Sequence, residues 1–223
     1  MYNLQMSGLG KSEGGVFSEV RLEGVQRLYG NVQCLDFFSE GVLKAKAIEC
    51  QNSFSLEGVG GMSSLKASTI MIEGSCQVKE TVIGQALHVE GYLSTGGVVK
   101  VETAQIVGKV KFKEAFEATK INLSFGAASS FDVISATEVK ISRDLGGNES
   151  QTCHGIERFQ RGRKYEITGQ LIEGETIEID SCRVYAIYGD EIKIGPNCQI
   201  NEVAYKDSLE IHPSAVVKTV KQV

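Results

Sequence analysis

The sequence predicts an all-β parallel solenoid, and three observations predict it. A triplet of an apolar residue, Glu and Gly returns at a nearly constant interval. The segments between triplets alternate apolar and polar residues. Gly is abundant and Pro scarce, 25 against 2 in 223 residues, in a chain that is 42% hydrophobic. That composition suits a chain that turns often yet keeps its backbone N–H groups for sheet bonds.

The glycines set the period. Gly24, Gly41, Gly58, Gly74, Gly91 and Gly108 follow one another at 17, 17, 16, 17 and 17 residues. Glu23, Glu40, Glu57, Glu73 and Glu90 precede the first five, and Val107 the sixth. Two residues before the glycines stand Leu22, Leu56, Ile72, Val89 and Ile106, with Ser39 the exception. Four residues after them stand Leu28, Ala45, Met62, Val78 and Phe112, with Thr95 the exception.

An interval of about 17 residues is short for two packed helices. Val98-Val99-Lys100-Val101-Glu102 and Val107-Gly108-Lys109-Val110-Lys111-Phe112 carry the period-two, β-branched pattern of strands. A repeated short-strand unit cannot bury its apolar side alone, and stacking neighbours buries a continuous core. Each coil is therefore read as three short strands joined by tight corners. Gly at a corner supplies φ > 0 without steric cost, and successive coils sit about 4.8 Å apart.

Past Gly108 the pattern weakens through Leu123, Phe125 and Gly126, with strand chemistry kept at Val133, Val139 and Ile141. A polar break over 142–164 contains Gly146-Gly147-Asn148 and reads as a loop. The triplet returns at Ile172-Glu173-Gly174, and Gly174 is read as a seventh corner because it lies close to four repeats beyond Gly108. The organisation expected is solenoid coils over 1–141, an inserted loop over 142–164, and further coils with a C-terminal cap over 165–223, as one continuous domain.

A formal net charge of −5 and a pI near 5.4 argue against nucleic acid as the main partner. The densest basic stretch, Arg158, Arg161, Arg163 and Lys164, reads as a solvated loop. Residues 1–10 lack the basic and apolar regions of a signal peptide. No run reaches the ~20 apolar residues that span a bilayer. Cys34, Cys50, Cys76, Cys153, Cys182 and Cys198 form no Cys-x-x-Cys pair and are read as reduced thiols of a cytoplasmic chain, all but the loop residue Cys153 packed as small hydrophobes. Cys34 and Cys50, nearly one coil apart, are expected to lie close together.

No constellation of catalytic residues emerges. Of three histidines, His88 lies in a strand pattern, His154 adjoins Cys153 in the polar loop, and His212 precedes Pro213. Adjacent Cys and His lack the converging third group that nucleophilic catalysis needs. The recurring glutamates are read as a solvent-facing edge that discourages lateral sticking. The sharper alternative, a cation ladder, is not adopted, because the Gly-Gly-x-Gly-x-Asp repeat of calcium-binding solenoids is missing. No metal, cofactor or catalytic residue is assigned.

Two resemblances bear on function. Ile194-Gly195-Pro196-Asn197-Cys198-Gln199-Ile200 resembles one hexapeptide unit of the left-handed β-helix acyltransferases, but the hexad is not sustained. The whole pattern resembles the bactofilins, polymer-forming bacterial cytoskeletal β-helices. The residues that carry it are Ser7-Gly8-Leu9-Gly10, Gly14-Gly15-Val16-Phe17, Leu28-Tyr29-Gly30-Asn31-Val32 and the triplets to Gly108. Ile172-Glu173-Gly174-Glu175-Thr176-Ile177-Glu178 and the Ile194–Cys198 stretch are similar to the longer, Bacillus-type members.

The resemblance implies a right-handed β-helix that polymerises end to end without nucleotide and scaffolds cell shape, division or motility. The partners it implies are further copies of the chain, other bactofilins and membrane-associated machinery. An acyltransferase-like enzyme and a solenoid binding module are the rival expectations.

Overall fold

The computed structural model describes residues 2–143 and 166–223. The nineteen strands of the described residues join one sheet through parallel pairings. The architecture is an all-β parallel solenoid of about 12 turns and ~17 residues per turn, with no helix among the described residues.

Strands β1 (Leu4–Met6), β2 (Leu9–Ser12) and β3 (Gly15–Val16) form the first coil. The regular coils use β4 (Glu19–Leu28), β5 (Val32–Lys44), β6 (Ala47–Met62), β7 (Ser64–Lys66) and β8 (Thr69–Val78). They continue through β9 (Val82–Ile83), β10 (Ala86–Thr95), β11 (Val99–Lys100) and β12 (Thr103–Phe112). Then follow β13 (Ala115–Phe125), β14 (Ser129–Ser130) and β15 (Val133–Arg143). The last coils use β16 (Ile167–Ile179), β17 (Cys182–Ile194), β18 (Gln199–Ile211) and β19 (Val216–Gln222).

A representative coil shows why these residues make this shape. In β8 the side chains alternate until Gly74, with Ile70 and Ile72 inside and Met71 and Glu73 outside. Gly74 has φ +119° and bends the strand. Beyond it Cys76 and Val78 point inward again, and β9 adds Val82 to the interior. The coil therefore has a segment before the glycine, a segment after it, and a short third segment.

Stacking turns these inward positions into columns. Phe37, Phe54, Ile70 and Leu87 lie one above the next in register and are fully buried. The Phe37 and Phe54 rings stack with centroids 5.3 Å apart. Burial of one such column, at ~25 cal/mol per Å² of apolar surface, is available only when a neighbouring coil is present.

The polar break begins later than the sequence suggests, because Ser142 and Arg143 complete β15. Residues 144–164 of the expected loop, with Cys153, His154 and the Arg158–Lys164 basic cluster, lie outside the described residues. The strands on either side pair directly, Val139 with Ile177 and Ile141 with Ile179.

Candidate functional site

The first six glycines the sequence singles out share one column. Gly24 pairs with Gly41, Gly41 with Gly58, Gly58 with Gly74, Gly74 with Gly91 and Gly91 with Gly108. Their φ angles run from +86° to +135°. A Cβ at Gly58 would stand 2.3 Å from the carbonyl oxygen of Gly41 in the preceding coil, so the position requires glycine twice over.

Gly174 is a correction. It does not extend this column, whose next members are Phe125 and Arg143. Gly174 pairs with Gly189 and lies over Ala136, and its φ is not in the left-handed region. The interval from Gly108 misleads because Ile141 pairs directly with Ile179, well over one repeat further along the chain, so the count of repeats is broken there.

Beside the glycines runs a ridge of carboxylates. Glu23, Glu40, Glu57, Glu73 and Glu90 stack in register, one per coil, and all are exposed. None lies within ion-pair distance of a cation among the described residues. Like charges stacked in neighbouring strands repel, so this ridge costs the isolated chain stability. Lys66 and Lys100 sit on another column and pair there with Glu49 and Glu117, at 2.6 and 2.8 Å. The hydrogen bond from Lys66 holds the Glu49 carboxyl below its usual range.

The segment just past the glycines has the opposite character. Leu9, Val25, Val42 and Val59 form an outward apolar column, exposed by 86, 48, 38 and 52%. Next to it Lys11, Arg27 and Lys44 form an outward cationic column, again one per coil. Together they line a shallow groove. The sequence reading missed this face, because its cations are spread along the chain and converge only when the coils stack.

The five thiols among the described residues are buried. Cys34 and Cys50 are register partners, with Sγ atoms 3.5 Å apart. The hydrogen bond between them, with burial, pushes the Cys50 thiol up. Burial alone pushes Cys76 up to about 12. Cys182 is likewise raised, chiefly by burial. Such thiols are poor nucleophiles, since the thiolate is the reactive form.

His88 lies on the outer side between Met71 and Gln105 of the adjoining coils. His212 Nδ1 is 2.9 Å from Ser214 Oγ within an exposed turn. Among the described residues no three His, Cys, Asp or Glu side chains are grouped to hold a metal ion.

The end coils carry further unpartnered groups. Among the described residues β1, β2 and β3 have no strand on their outer side, and β19 has none beyond it. Tyr2 at one end, and Val216 and Val220 at the other, are largely exposed.

Comparison with known proteins adds a partial likeness. No family model matches the chain, and no solved structure matches it. It is 40% identical over 53 residues to the uncharacterized protein YhbE of Bacillus subtilis (strain 168). The match covers 24% of this chain and 22% of YhbE, so the chain spans about a fifth of that relative's length.

Proposed function

We propose that this chain is a non-enzymatic scaffold of the bactofilin kind that polymerises end to end, without nucleotide, in the cytoplasm. The observation that carries the reading is the sheet edge left uncovered, among the described residues, at both end coils of an otherwise continuous parallel stack. Unpaired N–H and C=O groups on a strand edge are a template for another strand. End-to-end contact that does not close a ring gives a filament.

Val220 supports the same reading. It sits at the outer end of an interior column whose inner members, Val203, Ile187 and Ile172, are buried, yet it is 46% exposed. A copy stacked beyond it would cover it as each coil covers the last. For localisation, no helix among the described residues is long and apolar enough to cross a membrane.

The test is negative-stain electron microscopy of the purified, untagged full-length chain across a range of salt, without nucleotide. Rods that lengthen with concentration are expected, and Val220→Asp should shorten them while leaving the circular dichroism spectrum unchanged. Uniform small particles of the unaltered chain at every concentration would remove this reading.

A further inference from the structure

Two surface features stand out by contrast with the ladders of paired charges on another column, although single residues elsewhere, such as Lys109, Lys218, Glu80 and Glu102, are unpaired as well among the described residues. Lys66, Lys100, Lys120 and Lys140 each meet a glutamate of an adjoining coil, at 2.5 to 3.2 Å. The stacked carboxylates of Glu23 to Glu90 meet no cation, and Lys11, Arg27, Lys44 and Lys111 meet no carboxylate, among the described residues. Lys46, Lys79 and Lys113, in the turns that follow the same segment, are also unpaired. Over the first coils an acidic ridge, an apolar column and a cationic face thus run side by side, the cations giving way to Gly61 and the valines to Ser75 further on.

We propose that these are the two halves of a lateral contact between copies: the glutamate ridge of one chain seats against the Lys11–Arg27–Lys44 face of the next. This goes beyond end-to-end growth, because it joins rods side by side. The pitch matches by construction, since both columns advance one residue per coil. A stagger of one coil sets Glu23, Glu40 and Glu57 opposite Lys11, Arg27 and Lys44 of the neighbour. Ridge against ridge repels, so the ridge rejects its own kind and accepts the face.

The apolar column supports the same occupant. Val25, Val42 and Val59 lie between ridge and cations on the chain, and a neighbouring rod would cover them. Their desolvation strengthens the flanking ion pairs relative to pairs in open water. Ridge and face are different patches, so the contact is heterologous and does not close on itself. It propagates into sheets or bundles.

The contact is small. Four coils of one strand segment give roughly 250 Å² per copy on strand dimensions, against ~800 Å² per partner in a stable pair. Single copies therefore associate weakly, and the contact gains strength when many copies are held in line.

Complementary charge reversal tests this. Arg27→Glu/Lys44→Glu keeps the ridge and destroys the face; Glu40→Lys/Glu57→Lys does the reverse. All four side chains are exposed, so both proteins should fold. Beads densely coated with one protein capture the other from solution, which supplies multivalency whether or not end-to-end growth occurs. Each variant is expected to bind itself about tenfold less than the unaltered chain binds itself, because like charges are juxtaposed. The two variants mixed are expected to bind each other, and about 1 M salt, where the screening length is ~3 Å, should release them.

Failure of the mixture to recover binding overturns the proposal. So does undiminished self-binding of either variant. Loss confined to capture on phosphatidylglycerol vesicles, with self-binding intact, reassigns the cationic face to anionic lipid and also overturns it. Failure of end-to-end growth has a different signature, short rods that still bind beads.

Discussion

Gly58 combines a φ of +119° with a neighbouring carbonyl where a Cβ would go, so its replacement strains the backbone and forces two coils apart. Gly58→Ala is expected to cost about 3 kcal/mol or more, from the φ penalty and the clash together. Gly61, three residues on, has open space around its Cβ position and no left-handed φ, and Gly61→Ala should change stability by less than about 0.5 kcal/mol. Urea unfolding of the two variants checks the contrast, and equal losses would show that the glycine column is not what fixes the corner. The buried thiol of Cys76 makes a second residue-level statement. The unfolded chain loses this proton above about 9, whereas the folded chain holds it toward 12. The folded state binds more protons in that window, so this contribution is full below pH 9 and is lost progressively as pH rises toward 12. At pH 10 the loss from this group is on the order of 1 kcal/mol. Cys76→Ala should flatten the fall in unfolding free energy between pH 8 and pH 10.

Columns, and not individual strands, are the elements that stabilise this fold. Phe54 is fully buried between Phe37 and Ile70, so Phe54→Ala should cost about 3–5 kcal/mol through lost burial and a cavity. Glu178 bridges Lys140 at 3.2 Å and Lys193 at 3.8 Å, with side chains about half exposed, and Glu178→Ala should cost under ~1 kcal/mol. Thermal and urea denaturation of both variants would rank them, and the reverse order would place the stability in the surface ladders. The same contrast explains what the sequence could disclose. The first coils are legible because a left-handed φ admits little but Gly and an interior column admits little but apolar residues, so both leave a period. The later coils turn differently, with Asp180-Ser181, Gly195-Pro196-Asn197 and His212-Pro213-Ser214 after the stacked Ile179, Ile194 and Ile211. Ser181 and Asn197 take positive φ there without glycine, which hides these corners from a search for Gly. The cationic face was illegible for another reason: outward positions tolerate any polar residue, and only the register shows that Lys11, Arg27 and Lys44 adjoin.

Among the described residues each coil contacts chiefly the coils beside it, so stability accumulates by stacking and the end coils stay partly uncovered. On the two proposals one chain would join others in two directions, along the axis through its edges and sideways through its charge columns, the two directions that the microscopy and the bead capture separate. The parallel register has a further consequence. Every column is defined by translation through one coil, so adding or removing a whole coil preserves each neighbour relation, whereas adding one residue to a strand exchanges its inner and outer faces. The length of the rod is thus a quantised quantity, free to drift by whole turns over generations.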